Sequence, residues 1–301
     1  MKKGGRLLCQ RASLRFEFIH QHRGQFSIKA LCRCMSVSPS GYYDWRSRPV
    51  SKRAQKDEVL KAKIKKSHEA SHRNYGTRRI KDDLADQDEQ ISRRRIGRLM
   101  KEEGLSCKTK RKFKATTDSK HNKPVAENLL NRQFSWSQPD QAYVGDITYI
   151  PTHEGWLYLA VFIDLCSRAV VGWSMSHRMT ASLVTDALQM AIKSRKPGEG
   201  LLVHTDRGSQ YVSDDYQRLL KENKFICSMS RKGNCWDNSP SESFFHTLKT
   251  ELVHHENYLS REDAQQDIFE YIEVFYNRQR KHSTNGYLAP FKYEQKLVGA
   301  A

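Results

Sequence analysis

Apolar positions along the chain recur with two periods, and the change from one to the other divides it. In the front part the spacing is helical. Phe16, Phe18 and Ile19 open it, and Phe26, Ile28, Leu31 and Cys32 continue it. Ser38-Pro39 then offers an N-cap with proline at the first helical position, leading into Tyr42, Tyr43 and Trp45. A small helical hairpin with its aromatics in the core is expected. From Asp57 a second helical set begins, with Val59, Leu60 and Ile64 as its stripe and a break at Tyr75-Gly76. Ile80 and Leu84 mark a short helix, and a polar turn spans Asp86 to Gln90. Ser92 caps a further helix that sends Ile96, Leu99 and Met100 inward, sends Arg93, Arg94, Arg95 and Arg98 outward, and stops at Gly104. Helix, turn and arginine-rich helix is the layout of a helix-turn-helix module, whose second helix enters the major groove. A solvated charged face is the alternative.

Beyond Trp136 the period shortens. Tyr143–Ile150, Trp156–Cys166 and Ala169–Ser176 read as successive strands, with turns at His153-Glu154-Gly155 and Ser167-Arg168. An antiparallel meander follows from that spacing. A helix is expected from Thr180 to Ser194, then a strand over 201–205, a helix over 213–223, a short strand at Phe225–Ser228 and a helix carrying Glu242. Ile268, Ile272 and Phe275 belong to a C-terminal helix that closes the core. Consecutive strands followed by alternating helix and strand predict an α/β fold with a mixed, ribonuclease-H-like sheet, preceded by small all-α basic modules.

Charge follows the same division. Across the 301 residues the formal charge is +18 and the sequence pI about 9.6. Residues 1–135 hold 34 Lys and Arg against 14 Asp and Glu, whereas 136–301 hold 18 against 20. A basic front half thus precedes a near-neutral back half, a division that suits gripping a phosphate backbone with one part and cutting it with the other. The block Lys108–Lys114 and the polar stretch Thr116–Pro124 read as a basic linker. No run of apolar residues is long enough to span a membrane and no signal-peptide core is seen at the start, so a cytoplasmic protein is expected. The 7 cysteines are scattered, which argues for reduced thiols rather than a disulfide framework, and no zinc site is expected.

Candidate chemistry lies in the back half. Asp146 sits in the β-rich run Val144–Ile150, Asp206 ends the apolar run Leu201–Thr205 before Arg207-Gly208, and Glu242 opens a helix after the breaker-rich Gly233–Pro240. Carboxylates on separate elements are what a pair of Mg²⁺ ions needs, because Mg²⁺ takes hard oxygen ligands and is held by one or two carboxylates plus substrate phosphates. Two such ions about 3.5–4 Å apart can clamp the attacking and leaving oxygens of a phosphoryl displacement. Each acid also has a plain structural explanation. Ser239-Pro240-Ser241-Glu242 satisfies a capping box, and Asp164, also in an apolar strand, is a rival ligand with a hydrogen-bonding role at the Ser167-Arg168 turn as the preferred reading. His68-Glu69-Ala70-Ser71-His72 matches a zinc-protease pattern, but its flanks Lys65, Lys66, Arg73 and Asn74 suggest a solvated segment beside a break.

Several runs carry a family resemblance. They are Gly145–Tyr149, Gly155–Val161, Ile163–Arg168, His204–Tyr211, Ser228–Ser230, Gly233–Asn238 and Glu242–Phe245. From Trp136 to about Tyr293 the chain resembles the catalytic core of the insertion sequence 3 family of bacterial transposases, within the retroviral integrase superfamily. Earlier residues resemble the basic front of the family's second open reading frame product. The resemblance implies a DDE transposase: Asp146, Asp206 and Glu242 as catalytic triad and metal ligands, Asp146 bridging two Mg²⁺ (or Mn²⁺) ions, and Lys249 holding phosphates of the terminal DNA. It implies DNA cleavage followed by strand transfer, with no nucleotide cofactor; no Gly-x-x-x-x-Gly-Lys-Ser/Thr loop occurs. Further DNA contacts are expected from Arg93, Arg94, Arg95, Arg98, Arg231, Lys232 and Arg280.

The expected organisation is a helical basic region at 1–54, a helix-turn-helix-like module at 55–115, a linker at 116–135, an integrase-type core at 136–295 and a tail at 296–301. Expected partners are DNA (element ends and target), further copies of this chain on DNA, and the upstream-frame product to which the family's second frame is commonly fused. No membrane partner is expected. A DNA-binding regulator or inactive partner subunit, and a ribonuclease-H-like nuclease without strand transfer, are the competing readings, since fold alone does not separate them.

Overall fold

A computed structural model describes residues 11–108, 126–231 and 235–299. Residues 109–114 of the expected basic block, residues 116–125 of the linker expected at 116–135, and Lys232 lie outside the described residues. The chain divides into two compact units, Met1–Lys63 and Ile64–Ala301. The division falls inside a helix rather than at residue 54, where composition places it.

The first unit holds α1 (Ala12–His22), α2 (Ile28–Cys34) and α3 (Pro39–Ser47), with α4 (Lys52–Ala70) continuing past its end. Ser38 caps α3 as expected, its hydroxyl accepting from Gly41 N at 3.0 Å. Ile19, Leu31, Cys32, Met35 and Tyr42 form the core, with Phe16, Phe18 and Trp45 packed around it. Phe26, counted in the helical periodicity, lies in the α1–α2 connection and is exposed. Val59 is exposed too, since on α4 only Leu60 and Ile64 of the expected stripe turn inward.

The second unit begins with a helical module. α5 (Thr77–Ala85) and α6 (Arg93–Glu102) pack through Ile80, Leu84, Ile96 and Leu99, all fully buried. Ser92 caps α6 by accepting from Arg95 N at 3.3 Å. His68, expected to be solvated, is buried, with Nδ1 3.2 Å from Tyr75 O. α4 stops at Ala70, and His72 follows in the left-handed region at φ 52°. His68 and His72 therefore do not share a helical face, and the protease pattern has no structural counterpart.

The remaining elements are β1 (Ala142–Thr152), β2 (Gly155–Asp164), β3 (Val170–Ser176), α7 (Ala181–Arg195), β4 (Leu202–Thr205), α8 (Asp214–Glu222), β5 (Ile226–Met229), α9 (Ser239–Glu251), α10 (Arg261–Phe269) and α11 (Pro290–Val298). The sheet order is β3-β2-β1-β4-β5. β1, β2 and β3 form the antiparallel meander, and β4 and β5 run parallel to β1. This is the mixed ribonuclease-H-like sheet that the element order predicts. One face packs Tyr143, Phe162 and Val203 against Leu183, Val184 and Leu188 of α7 and Tyr216 and Leu220 of α8. α7 approaches closely because Gly172 has no side chain: a Cβ there would stand 2.2 Å from Ala187 O.

The C-terminal helix differs from expectation. α10 gives way to a π-helical segment, Glu270–Tyr276, which buries Tyr271, Ile272, Phe275 and Tyr276 together. The wider π turn brings successive aromatics onto the inner face in a way that α-helical spacing would not. The basic tip after it is not free for DNA. Arg280 is buried, with Nε 2.8 Å and Nη2 2.7 Å from the Glu251 carboxylate, which also accepts from Tyr271 OH at 2.9 Å. The DNA contact expected of Arg280 is thus replaced by an internal ion pair. Lys281 reaches α5, where it pairs with Asp82, with Asp83 at 3.2 Å and with Asp86 at 2.6 Å. Tyr75 OH donates to Gln279 O and accepts from Lys281 N, and Arg79 Nε donates to Lys281 O at 3.0 Å. These ties fasten the helical module to the end of the catalytic core.

Removing one partner of a buried pair leaves a charge without compensation, which costs about 3–5 kcal/mol, whereas replacing both with apolar groups is often neutral. Arg280→Ala should therefore destabilise the protein by about that amount in urea denaturation. Arg280→Met combined with Glu251→Leu should recover most of the loss.

Candidate active site

Strand pairing places the first two acids. β1 and β4 are parallel, with Ala142 opposite Leu202, Tyr143 opposite Val203 and Val144 opposite His204. The pairing stops there, two residues short of each acid, so Asp146 and Asp206 follow it on neighbouring strands. β4 ends at Thr205, so Asp206 stands just past the carboxyl end of a parallel strand, where open α/β sheets bind ligands. Its Oδ1 accepts from Gly208 N at 2.8 Å, which bends the chain away from the sheet. Gly145 matters to the other side of the site, because a Cβ there would stand 2.4 Å from the Phe162 ring and push β1 outward beside Asp146.

Glu242 arrives on α9. The N-cap of that helix is Asn238, one residue before Ser239, and it makes no side-chain cap hydrogen bond. The capping box expected at Ser239–Glu242 is therefore absent, and the Glu242 carboxylate is not spent on the helix end. α9 buries Phe244, Phe245, Leu248 and Glu251, leaving Glu242 and Lys249 half-buried on a neighbouring face.

The charges of Asp206 and Glu242 act on Asp146. Burial, then the charge of Asp206, push the Asp146 carboxyl well above the usual carboxylate range, and Glu242 adds to the shift. The Ile147 N–H, 2.8 Å from Oδ1, and the Asn238 amide work against it. Glu242 is raised as well, by burial. The Tyr211 hydroxyl is buried without a hydrogen-bond partner and is held neutral by burial and by the charges of Asp206 and Asp146. Lys249 brings the positive charge. Its Nζ lies 4.8 Å from the Tyr149 ring centroid, its pKa is lowered by burial, and Tyr149 and Asp146 partly restore it.

The donor set fits a divalent cation. Asp146, Asp206 and Glu242 supply hard oxygens, and a bound cation would offset both the burial of Asp146 and the charges of Asp206 and Glu242 that hold its carboxyl up. Asn238 Oδ1 and Ser241 Oγ, buried beside them without partners, are further oxygens short of a positive neighbour. Among the described residues no three His, Cys, Asp or Glu side chains form a ready-made metal cage. Mg²⁺ does not require one, because it keeps several waters and takes phosphate oxygens from its substrate.

Asp164 is fully buried and engaged. Its Oδ1 accepts from Cys166 N, Ser167 N and Ser167 Oγ at 3.0, 2.7 and 2.9 Å, and its Oδ2 from Asp140 N at 2.8 Å. It holds the β2–β3 turn and has no capacity left for a metal. Asp237, to which the sequence assigned no role, is a second organising acid. It is buried and accepts from Asn128 Nδ2 at 2.9 Å, Arg132 Nε at 2.8 Å, and the backbone and guanidinium of Arg231 at 3.0 and 3.1 Å. Those donors, Arg231 first, hold its carboxyl far below the usual range. Through Asp237 the short 3₁₀ turn Cys235–Asn238 is fixed, which seats Asn238 against Asp146. No spacing could have disclosed this, since Asn128 and Arg132 lie far from Asp237 in sequence.

The expected DNA contacts fall into groups. Arg93, Arg94 and Arg98 are exposed on α6 and Arg95 is half-buried. Arg98 is paired with Glu102 at 2.5 Å, one helical turn on. Arg231 is exposed but its guanidinium is committed to Asp237. Arg280 is withdrawn into the core.

Comparison with known proteins gives the same picture. Family models described as Integrase core domain match residues 137–235 and 242–297, and one described as HTH-like domain matches 54–113. A protein named Insertion element IS600 uncharacterized 31 kDa protein, from Shigella sonnei, is 48% identical over 266 residues, covering 88% of this chain and 98% of that one. Transposase InsF for insertion sequence IS3A, from Escherichia coli strain K12, is 46% identical over 285 residues, covering 94% of this chain and 99% of that one. Among solved structures, the cryo-EM structure of the simian T-cell lymphotropic virus intasome in complex with PP2A regulatory subunit B56 gamma is similar over 77% of this chain and 74% of that one, at 17% identity and a TM-score of 0.46. With integrase-core models spanning the acids at β1, β4 and α9, and relatives of this identity along nearly its whole length, the chain belongs to the insertion sequence 3 family and is a transposase with an integrase core.

Proposed function

We propose that Asp146, Asp206 and Glu242 hold a pair of Mg²⁺ ions, or Mn²⁺ in their place, and that the protein uses them to cut DNA at the ends of its element and join the freed ends to a target. The observation that carries this reading is the shifted Asp146 carboxyl, crowded by Asp206 and Glu242 at the end of β4. When bound, the ions would supply Lewis-acid stabilisation of the phosphorane-like charge and orient the attacking oxygen. Asp146 stands where it can be shared, and Asp206 and Glu242 complete the donor set from either side. Asn238 holds Asp146 in place by its amide. Lys249 neutralises a phosphate next to the carboxylates, and the α6 arginines grip the duplex through its backbone. Cleavage transfers a phosphate bond from the leaving 3′-oxygen to water. Joining transfers another to that 3′-hydroxyl, so the second exchange of phosphodiesters needs no nucleotide. DNA ends, target DNA and further copies of this chain are the partners, with the upstream-frame product an additional one. Among the described residues no helix is long and apolar enough to cross a membrane, and a protein that acts on bacterial DNA works in the cytoplasm.

Asp146→Asn, Asp206→Asn and Glu242→Gln should each lower cleavage and joining of flanking-end DNA by at least about 10²-fold while binding in a gel-shift assay changes little. Full joining by the Glu242→Gln protein would overturn the assignment.

The raised Asp146 pKa has a definite sign in stability. A folded-state value above the unfolded one means that the ionised carboxylate opposes folding, so the contribution of Asp146 to stability is fullest below the ordinary aspartate range and is lost as pH rises through the shifted value. Metal-free Asp146→Asn should therefore melt above the wild type at neutral pH, with the gap closing below the ordinary aspartate range. Mg²⁺ should raise the melting temperature of the wild type and leave that of Asp146→Asn nearly unmoved.

Replacing Arg93 and Arg94 with alanine should weaken DNA binding and flatten its salt dependence by about 0.9 in log–log slope for each phosphate that is no longer neutralised. An unchanged slope would remove α6 from the interface.

A further inference from the structure

A line of side chains leads away from the carboxylates along the β1–β2 hairpin. Lys249 Nζ lies over one face of Tyr149, and Tyr149 meets Trp156 edge-on, with ring centroids 4.8 Å apart and planes at 79°. Tyr149 is occupied by the lysine. Trp156 is not: it is 49% exposed, an unusual placement for an indole that could have packed inward. It is also held firmly. Its carbonyl accepts from Arg261 Nε at 3.1 Å, and Arg261 Nη2 donates to Glu154 O at 2.5 Å. The hairpin tip is fixed further by His153 N donating to Tyr258 O at 3.0 Å and by Arg261 N donating to Glu154 Oε2 at 2.9 Å. Gly155 makes the turn at φ +107°, a conformation that other residues rarely adopt. The result is an open aromatic surface on a fixed turn, linked to Asp146 through Tyr149 and Lys249.

We infer that Trp156 is a stacking shelf for a DNA base unpaired from the duplex next to the cleavage point. The inference rests on the proposed function above and adds to it a subsite for one nucleotide. Base-to-aromatic stacking tolerates any sequence because every base has a π-face, and a neighbouring lysine on the backbone is its usual companion. Trp156 pairs with Pro151, five residues along β1 from Asp146, about 17 Å at strand rise. At about 3.4 Å per nucleotide of duplex, the base reached is roughly the fourth to sixth from the scissile phosphate. Ordering the indole in advance removes the entropy that a mobile aromatic would lose on contact.

The test uses the full-length protein and duplexes copied from the DNA flanking its gene, with 5-iododeoxyuridine placed in turn at each of the terminal positions. Irradiation should crosslink Trp156 at about the fourth to sixth position, in the wild type and equally in Asp146→Asn, whose shelf is intact. Trp156→Ala should lose that crosslink and cleave on the order of tenfold more slowly, and Trp156→Tyr should restore most of the rate. DNA that binds but crosslinks elsewhere, together with normal cleavage by Trp156→Ala, would overturn the shelf and leave the proposed function standing. Normal cleavage by Asp146→Asn would overturn the proposed function while the crosslink still reported on the shelf. Failure of the wild type to bind the duplexes would sink both.

Discussion

Parallel pairing of β1 with β4 lays the strand that carries Asp146 against the strand that Asp206 follows. The rest of the site answers that arrangement. Burial strips water from the Asp146 carboxyl, and the charges of Asp206 and Glu242 add to the cost of ionising it. The carboxyl is displaced upward as a consequence. The protein tolerates this because the surrounding scaffold is over-determined. Phe162 occupies the space left by Gly145, α7 lies hard against Gly172, and the Asp164 carboxylate locks the turn at the far end of the meander.

Two further acids show how burial sorts similar side chains into different tasks. Asp164 and Asp237 are both buried, yet each has its oxygens filled by backbone or guanidinium donors. They organise structure. Asp146, Asp206 and Glu242 stand where negative charge accumulates. What separates the two sets is the supply of donors around each oxygen, since a carboxylate whose lone pairs are already satisfied has nothing to offer an ion. The same principle removes Arg280 from the DNA-facing surface. Its guanidinium is fully used by Glu251 inside the protein.

The seam between the helical module and the core gives these charges a mechanical role. Lys281 in a cluster of α5 aspartates, with Tyr75 and Arg79 bonded to the chain around it, ties a basic, groove-sized helix pair to the C-terminal end of the catalytic fold. The arginine-bearing helix α6 and the three acids are thereby carried on one compact unit. The basic front half and near-neutral back half seen in the composition are the linear trace of that arrangement.

Much of this was determined by the sequence alone. Apolar, β-rich runs bounded by turn residues mark the strands of the meander within a residue or two of where they lie, because strands buried in near-continuous stretches demand such runs, and Ser38 and Ser92 announce their helices through the chemistry of capping. The family motifs marked Asp146, Asp206 and Glu242. Tertiary structure alone decided the rest. Whether Glu242 caps its helix turned on a one-residue shift of the helix start to Asn238, which local pattern cannot resolve. Whether Phe26, Val59, His68 and Arg280 face water or the interior depended on which other element packs over them, and such contacts join residues that have no relation along the chain. The role of Asp237 was invisible for the same reason: it is set by partners from remote segments, and only folding brings those segments together.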